Sequence, residues 1–391
     1  MNDPVKPDAV TRRWDIFCSV VDNFGDIGIC WRLARQLVNE YGQAVRLWVD
    51  DLRSFRRIAP EVDPASPQQV CRGVEVRPWP VPFPAVAPEQ VADVVVEAFA
   101  CTLPDNFVEA MAARTKAPLW INLEHLSAEP WVAGCHALPS PHPRLPLTKY
   151  FFFPGFEPGT GGLLRERDLL QRRRAFQADS VAQAAFWAQL GLSPAVSGEL
   201  RVSLFAYSGD DLAALLDVWA GGEQAICVLV PEGHVAGQLA ALFGAGAVRP
   251  GDRFERGFLT VQVLPFLEQD RYDRLLWACD INFVRGEDSF VRAQWAGRPL
   301  VWQIYRQEEG AHWPKLEAFL ALYQEGLPAA AAAALVAFWQ AWNREQGTAG
   351  TWADFLAWRE VLERHAGAWE ARMTALGDVA ENLMLFCTKA I

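Results

Sequence analysis

The chain has 391 residues, of which 51% are hydrophobic and 21% are charged. This balance excludes an intrinsically disordered chain, and no apolar run approaches the roughly 20 residues that a membrane span needs. The 36 Lys and Arg residues against 47 Asp and Glu give a net charge of -11, which argues against a protein that mainly coats nucleic acid. The N-terminus lacks the apolar segment of a signal peptide, so we expect a cytoplasmic protein with no membrane partner and no nucleic-acid partner.

The cysteines and histidines give no sign of a metal site. The eight Cys are scattered without a C-x-x-C pair, and the six His are dispersed as well. Cys18, Cys227 and Cys279 lie in or beside apolar runs, so we expect buried thiols. We expect no bound metal ion.

The first 125 residues alternate between short apolar runs and helical patterns. The sequence predicts strands over 14–21, 45–49, 74–77, 93–99 and 118–123, with helices over 27–38 and 106–114. Alternation of this kind is typical of a parallel sheet covered by helices.

A proline-rich segment follows. Seven prolines between Pro130 and Pro158 leave no room for a long helix, which predicts a linker or an extended surface loop. The glycines of residues 155–162 could cradle a ligand or make the linker flexible. We place a domain boundary at 150–160, followed by an Arg-rich helical stretch over 163–190.

The second half repeats the alternation. Strands are predicted over 200–206, 225–230, 259–264, 280–284 and 299–303, and the chain after Trp313 is predicted to be almost wholly helical, with its tryptophans mostly in the core. Two doubly wound α/β halves would face a cleft, and ligands bind beyond the carboxyl ends of such strands. Residues that directly follow strands are therefore the candidates for function.

The turn after the first strand carries two acids, Asp22 and Asp26, together with Gly25 and Gly28. The glycines would allow the backbone to approach a ligand, and the start of the following helix offers unpaired N–H groups. The dinucleotide-binding pattern G-x-G-x-x-G is absent. The alternative to a catalytic role is that Asp26 caps the helix and Asp22 ends the strand.

A second polar turn follows the strand predicted over 280–284. Arg285 could neutralise a diphosphate, Gly286 would permit a tight turn, and Glu287 or Asp288 would start the next helix. Ser289 with its backbone N–H could hold a phosphate oxygen. The alternative is an ordinary helix start, with acids that complement the helix dipole.

Weaker candidates follow other strands. Tyr207 and Ser208 could reach a phosphate or could be ordinary turn residues. Phe266 could stack on a nucleobase or belong to the core. His125 could act as a base or be structural.

Three segments are more specific than these general patterns: DNFGDIG at 22–28, CWRLAR at 30–35 and RGEDSF at 285–290. With them the sequence closely resembles the protein-arginine rhamnosyltransferase (EarP) family, which modifies bacterial translation elongation factor P. The resemblance includes INLE at 121–124, residues 151–155 and AGRP at 296–299. It runs from about Trp14 to near the C-terminus and leaves residues 1–13 outside as an N-terminal extension.

This resemblance implies a GT-B glycosyltransferase with two Rossmann-like doubly wound domains facing a cleft, and with C-terminal helices. It implies an acceptor-binding domain over 14–155 and a nucleotide-sugar domain over 156–370. A final helix over 371–391 could pack back on the first domain. The implied enzyme moves L-rhamnose from dTDP-β-L-rhamnose to one arginine of elongation factor P with inversion, which activates the factor for rescue of ribosomes stalled at polyproline. The family needs no metal ion, and no cofactor is implied.

The resemblance also implies roles for individual residues. Asp26 is the expected proton acceptor, Asp22 its partner and Glu287 the third essential acid. The nucleotide sugar is expected to bind at the following residues: Asn23, Phe24, Gly25, Tyr207, Phe266, Leu267, Gln269, Arg285, Gly286, Asp288 and Ser289.

The chemistry of the residues is consistent with these roles. A guanidinium, with a pKa above about 12, is a poor nucleophile until a carboxylate takes its proton or polarises it. Asp22 and Asp26 could grip it, while Arg285, Tyr207 and Ser289 could neutralise the leaving diphosphate. Two other functions stay open from the residues alone: a GT-B glycosyltransferase with a small-molecule or glycan acceptor, and a regulator that binds a nucleotide sugar without turnover.

Overall fold

The chain forms two compact units. A computed structural model describes residues 11–22, 24–194, 198–207 and 211–390. The first unit extends to Arg167 and takes up the chain again from Met373, and the second unit comprises Asp168–Arg372.

The first unit is built on a sheet that has eight strands within the described residues. In chain order they are β1 (Arg13–Cys18), β2 (Ala44–Val49), β3 (Gln69–Cys71), β4 (Val74–Pro78), β5 (Val94–Ala98), β6 (Leu119–Leu123), β7 (Pro139–Pro141) and β8 (Thr148–Phe152). The spatial order is β3-β4-β2-β1-β5-β6-β8-β7. Only the edge strands β3 and β7 pair antiparallel in this sheet as described. The central strands β5 and β6 are buried along their whole length, which explains why four of the five residues in each are apolar.

Helices cover this sheet: α1 (Gly25–Tyr41), α2 (Leu52–Ile58), α3 (Asp105–Ala113) and the short α4 (Val132–Cys135). The start of α1 is buried nearly all round, from Asp26 to Ala34. The helix ends where Gly42 adopts a left-handed conformation and its N–H bonds back to the last turn.

The second unit is built on a sheet that has six strands in the part of the chain that is described. These are β9 (Leu200–Leu204), β10 (Ile226–Pro231), β11 (Arg253–Arg256), β12 (Leu259–Leu264), β13 (Ile281–Arg285) and β14 (Leu300–Gln303). The spatial order is β11-β12-β10-β9-β13-β14, and β11 is the antiparallel edge.

The helices of this unit are α5 (Leu169–Ala178), α6 (Ser180–Gln189), α7 (Leu212–Gly221), α8 (His234–Leu242), α9 (Gln269–Ala278), α10 (Asp288–Trp295), α11 (His312–Tyr323), α12 (Ala329–Arg344), α13 (Thr348–Ala357) and α14 (Arg359–Thr374). The predicted helical C-terminal part is confirmed, and Trp339, Trp342, Trp352 and Trp369 are buried in it. The predicted helical stretch over 163–190 is helical only from Leu169, and it is divided into two helices because the Asp179 side chain accepts two N–H groups and starts α6.

The prediction of a linker or surface loop over the proline-rich segment is wrong. Residues 148–152 form β8, which pairs in parallel with β6 inside the sheet. Pro139 and Pro141 lie in the edge strand β7, where a missing N–H is tolerated. The prolines therefore shape an edge of the first sheet.

The division into units falls after Arg167 rather than after residue 155. Phe156, Leu163 and Leu164 are buried, and Leu163 forms an isolated parallel bridge with Asp378, so this stretch is held by the first unit. The last helix, α15 (Val379–Ala390), packs on α1.

Ten of the parallel strands were predicted to within three residues at either end, whereas the parallel strand β8 and the short antiparallel strands β3, β7 and β11 were missed. The three thiols expected to be buried, those of Cys18, Cys227 and Cys279, are buried and unbridged. None of the described helices combines the length and the apolar character that a membrane-spanning helix needs.

Candidate functional site

Each sheet has a point from which the chain runs outward in two directions. From β1 the first unit builds β2 and β4 on one side, whereas β5 starts the other side with β6 and β8. In the second unit β9 leads to β10 and β12, and β13 leads to β14 on the opposite side. Ligands of open α/β sheets bind at the carboxyl ends of such strand pairs. The predicted site residues follow β1, β9, β12 and β13, so most of them lie at or beside these two points.

Asp26 lies in the first turn of α1 and is 5% exposed. Its Oδ2 accepts hydrogen bonds from the backbone N–H groups of Val21 and Asp22, both at 2.9 Å. Its Oδ1 makes no hydrogen bond to another described residue. The side chain therefore binds the turn before the helix instead of capping the helix. This arrangement fixes the carboxylate and leaves one oxygen for a ligand.

Asp50, directly after β2, holds the preceding part of the same turn. Its Oδ2 accepts the hydroxyl of Ser19 at 2.6 Å, and its Oδ1 accepts the N–H of Val20 at 2.9 Å. Asp50 and Asp26 together thus bind four consecutive residues, 19–22, through two carboxylates. Sequence reasoning missed Asp50, although an acid directly after a parallel strand was a usable signal.

Gly25 lies close to both the backbone and the side chain of Asp22. Its N–H donates to the Asp22 carbonyl at 2.7 Å, and an added Cβ would lie 2.9 Å from Asp22 Oδ2. Phe24 is half-buried at the N-cap position. Asn23 lies outside the described residues.

Arg285 ends β13 between two aromatic rings. Its Cζ lies 4.5 Å from the ring centroid of Phe205 and 4.4 Å from that of Tyr207. Its Nε is buried and has no hydrogen-bond partner among the described residues. A cation fixed between ring faces, with a donor to spare, suits an anionic ligand such as a diphosphate.

Arg285 and Ser289 close the turn between β13 and α10. Ser289 Oγ accepts the N–H of Arg285 at 3.2 Å and donates to the Arg285 carbonyl, so this hydroxyl is committed to the turn. Gly286 has a left-handed φ of 62°, and its carbonyl accepts the indole N–H of Trp302 at 2.9 Å. Glu287 is half-buried at the N-cap position of α10. The contact predicted between Ser289 and a phosphate would have to use its backbone N–H.

The starts of α9 and α10 are joined by side chains. Gln269 is buried and donates to Asp288 Oδ2 at 3.0 Å. One turn further on, Arg292 binds Asp273 with two hydrogen bonds, Nε to Oδ1 at 3.1 Å and Nη2 to Oδ2 at 2.6 Å. Gln269 and Asp288 therefore support each other at the carboxyl end of the sheet.

Of the remaining predicted residues, Tyr207 and Phe266 are half-buried and Leu267 is buried. Tyr207 is held through its N–H by Gln303 Oε1 at 2.7 Å, and its ring contacts that of Tyr305 at 5.4 Å. Leu267 is buried in a hydrophobic cluster, so only its backbone could contact a ligand, whereas Phe266 is half-buried. Ser208 lies outside the described residues.

Phe205, Gln303 and Tyr305 belong to this site and were missed. Phe205 had been included in a predicted strand, and nothing in the sequence links Gln303 to Tyr207, which lies 96 residues away. Within the described ranges, no group of three or more His, Cys, Asp or Glu side chains is placed to hold a metal ion.

A family model described as "Elongation-Factor P (EF-P) rhamnosyltransferase EarP" matches residues 14–388. The chain belongs to this family. A protein-arginine rhamnosyltransferase of Pseudomonas putida is 56% identical over 95% of this chain and 98% of the relative, and one of Pseudomonas aeruginosa is 54% identical over the same shares. The family predicted from the sequence is therefore confirmed, and the chain is an enzyme of the protein-arginine rhamnosyltransferase family.

The solved structures agree. A structure from work on EarP-mediated arginine glycosylation of translation elongation factor EF-P is 40% identical, covers 97% of this chain and 100% of its own, and has a TM-score of 0.71. A UDP-GlcNAc 2-epimerase of Neisseria meningitidis, 10% identical over 96% of this chain and 99% of its own, shares the fold with a TM-score of 0.52. The predicted GT-B fold is confirmed.

Proposed function

We propose that this protein transfers L-rhamnose from dTDP-β-L-rhamnose to a side-chain nitrogen of one arginine of elongation factor P, with inversion at the anomeric carbon. The match over residues 14–388 and the names of the relatives support the acceptor and the sugar. The modification would activate the factor for rescue of ribosomes stalled at polyproline, which places the reaction in the cytoplasm.

The observation that carries the proposal is the fixed carboxylate of Asp26. Because two backbone N–H groups hold Oδ2, Oδ1 can take a proton from the acceptor guanidinium without the side chain reorienting. Asp22, whose backbone is tied to the same oxygen, would help to grip the guanidinium. The lone pair of the deprotonated nitrogen attacks the anomeric carbon from the face opposite the diphosphate. The bond between the anomeric carbon and the diphosphate oxygen breaks, and the proton remains on Asp26.

The leaving dTDP carries negative charge that the second unit would stabilise. Arg285 offers a fixed cation, and the first N–H groups of α10 point a partial positive charge toward the same turn. The proposal therefore needs no metal ion or cofactor. Glu287, at the start of α10, would bind a sugar hydroxyl or position the acceptor arginine.

The test is to incubate the purified protein with dTDP-β-L-rhamnose and elongation factor P in EDTA and to measure the intact mass of the acceptor. We expect a gain of one deoxyhexose that disappears when the target arginine is changed to lysine. Asp26→Asn should lower turnover by about 10²- to 10⁴-fold and still fold, because the amide oxygen can accept the same two N–H groups. Asp105→Asn, at an exposed acid in the first turn of α3, is the matched control and should be active.

Two results would contradict the proposal. Transfer at the wild-type rate by Asp26→Asn would show that the base is another group. Binding of the nucleotide sugar without any mass gain on the factor would direct the search to a small-molecule or glycan acceptor.

A further inference from the structure

The turn after β5 has an unusual backbone. Phe99 and Ala100 both adopt left-handed conformations, with φ of 57° and 54°. Residues other than glycine seldom do so, and two in succession persist only where the surrounding structure imposes them.

Neighbouring groups impose this turn. The N–H of Phe99 donates to the Leu123 carbonyl at 2.7 Å, and the N–H of Ala100 donates to Asn122 Oδ1 at 3.1 Å. Asn122 is buried, and its amide donates to Glu124 Oε1 at 2.6 Å. The end of β6 is thus built to hold the end of β5 in a strained form.

The strain places an aromatic surface at the edge of the sheet. The ring of Phe99 stacks on the imidazole of His125, with 4.5 Å between centroids and 16° between planes. Phe99 is half-buried and His125 is exposed, so this aromatic pair (Phe99 and His125) is not part of the hydrophobic core.

The aromatic pair follows β5 and β6 at the same carboxyl end of the sheet at which the acidic turn of Asp22 and Asp26 follows β1. Strands β1 and β5 are neighbours, and Phe17 is in register with Glu97, so Phe99 continues β5 where the turn after β1 begins. The thiol of Cys101, at the end of the strained turn, donates to the Phe17 carbonyl at 3.4 Å. Ring faces and carboxylates therefore border the same switch point of the first sheet.

We propose that the aromatic pair binds the acceptor arginine, with its guanidinium against the ring of Phe99 and its N–H groups toward the acidic turn. A guanidinium is both planar and cationic, so it stacks on an aromatic face and bonds to carboxylates at its edge. This inference rests on the proposed function, and it assigns to Phe99 the selection of arginine as acceptor.

The test is steady-state kinetics of wild type, Phe99→Leu and Phe99→Tyr with elongation factor P and dTDP-β-L-rhamnose. We expect Phe99→Leu to raise the KM for the factor about tenfold, equivalent to about 1.4 kcal/mol, with the KM for the donor unchanged. Phe99→Tyr keeps the ring face and should resemble wild type. The control variant Phe258→Leu removes an exposed aromatic ring in the second unit, just before β12, and should change neither KM.

A shape-preserving change guards against a folding defect. Phe99 replaced by pentafluorophenylalanine keeps the ring but reverses the charge of its face, so the KM for the factor should rise as in Phe99→Leu. An unchanged KM for the factor in both variants, or an equal loss of donor affinity, would overturn the proposal. Absence of transfer by wild type in the same assay would instead refute the proposed function, and this inference with it.

Discussion

The ion pair between Asp273 and Arg292 joins α9 and α10, the two helices that begin with Gln269 and Asp288. Their side chains are only 4% and 2% exposed, and two hydrogen bonds connect them. Asp273→Asn keeps the shape of the side chain and removes its charge. The buried guanidinium of Arg292 then loses the negative charge of Asp273.

The expected cost follows from this burial. Breaking a buried ion pair by neutralising one partner costs about 3–5 kcal/mol, because a charge is left in a medium of low polarity. The lower end applies here, since the Asn oxygen can still accept one hydrogen bond. Replacing both residues by apolar ones, as in Asp273→Leu with Arg292→Met, should leave stability within about 1 kcal/mol of wild type, because no charge is then buried.

Urea unfolding followed by tryptophan fluorescence measures these differences. With a slope of about 2 kcal/mol per molar, Asp273→Asn should lower the midpoint by about 1.5 M. The matched control is Glu255→Gln in the exposed pair of Arg253 and Glu255, which should change stability by less than about 0.5 kcal/mol.

Two results would contradict a buried charge as the cause of this cost. A cost below about 1 kcal/mol for Asp273→Asn would show that the buried charge is compensated elsewhere. A double variant as unstable as the single one would show that shape, rather than charge, decides the packing of α9 on α10.

Three further predictions concern the first unit. Asp50→Ala should lower kcat about tenfold and leave the affinity for the donor unchanged. It removes two hydrogen bonds from the turn before Asp22, which together contribute about 1–2 kcal/mol. An unchanged kcat would contradict this prediction. Gly25→Ala should abolish most transfer in the mass assay while the protein still folds, because the new Cβ displaces the Asp22 carboxylate. Burial raises the pKa of Asp378 to about 6, so the folded state binds its proton more tightly than the unfolded chain, and stability falls as pH rises from about 4 to 6. Above pH 7, Asp378→Asn should therefore have a free energy of unfolding up to about 3 kcal/mol higher than wild type, and it should unfold at a higher temperature. Near pH 3.5 the two proteins should have the same stability. Calorimetry at both pH values decides this.

Much of the fold could be read from the sequence because parallel strands are buried on both faces. The strand β10 is wholly apolar, and β5 and β6 contain one polar residue each, so all three can be recognised without knowledge of their neighbours. The antiparallel edge strands carry no such run, and the prolines of β7 hid the strand β8 that follows it. Edge strands are defined by their pairing partners, which lie elsewhere in the chain.

The candidate site also has features that the sequence predicted and features that required the structure. That Asp22, Asp26 and Arg285 follow strands was predictable, since strand ends are local features. That Asp26 binds the turn before its helix, rather than capping it, required the path of the backbone. The left-handed conformation of Phe99 could not be predicted either, because no glycine marks that position in the sequence.

The sequence alone determined the family, the alternation of strands and helices, and which residues stand at strand ends, because each of these depends on residue order. Only the tertiary structure decided that Phe205 and Tyr207 enclose Arg285, that Gln303 holds Tyr207, and that the chain from Met373 onward returns to the first unit. These contacts join residues far apart in the chain. Which residues meet in these contacts depends on the order and register of strands in the two sheets. Local patterns of hydrophobicity do not determine that order or register.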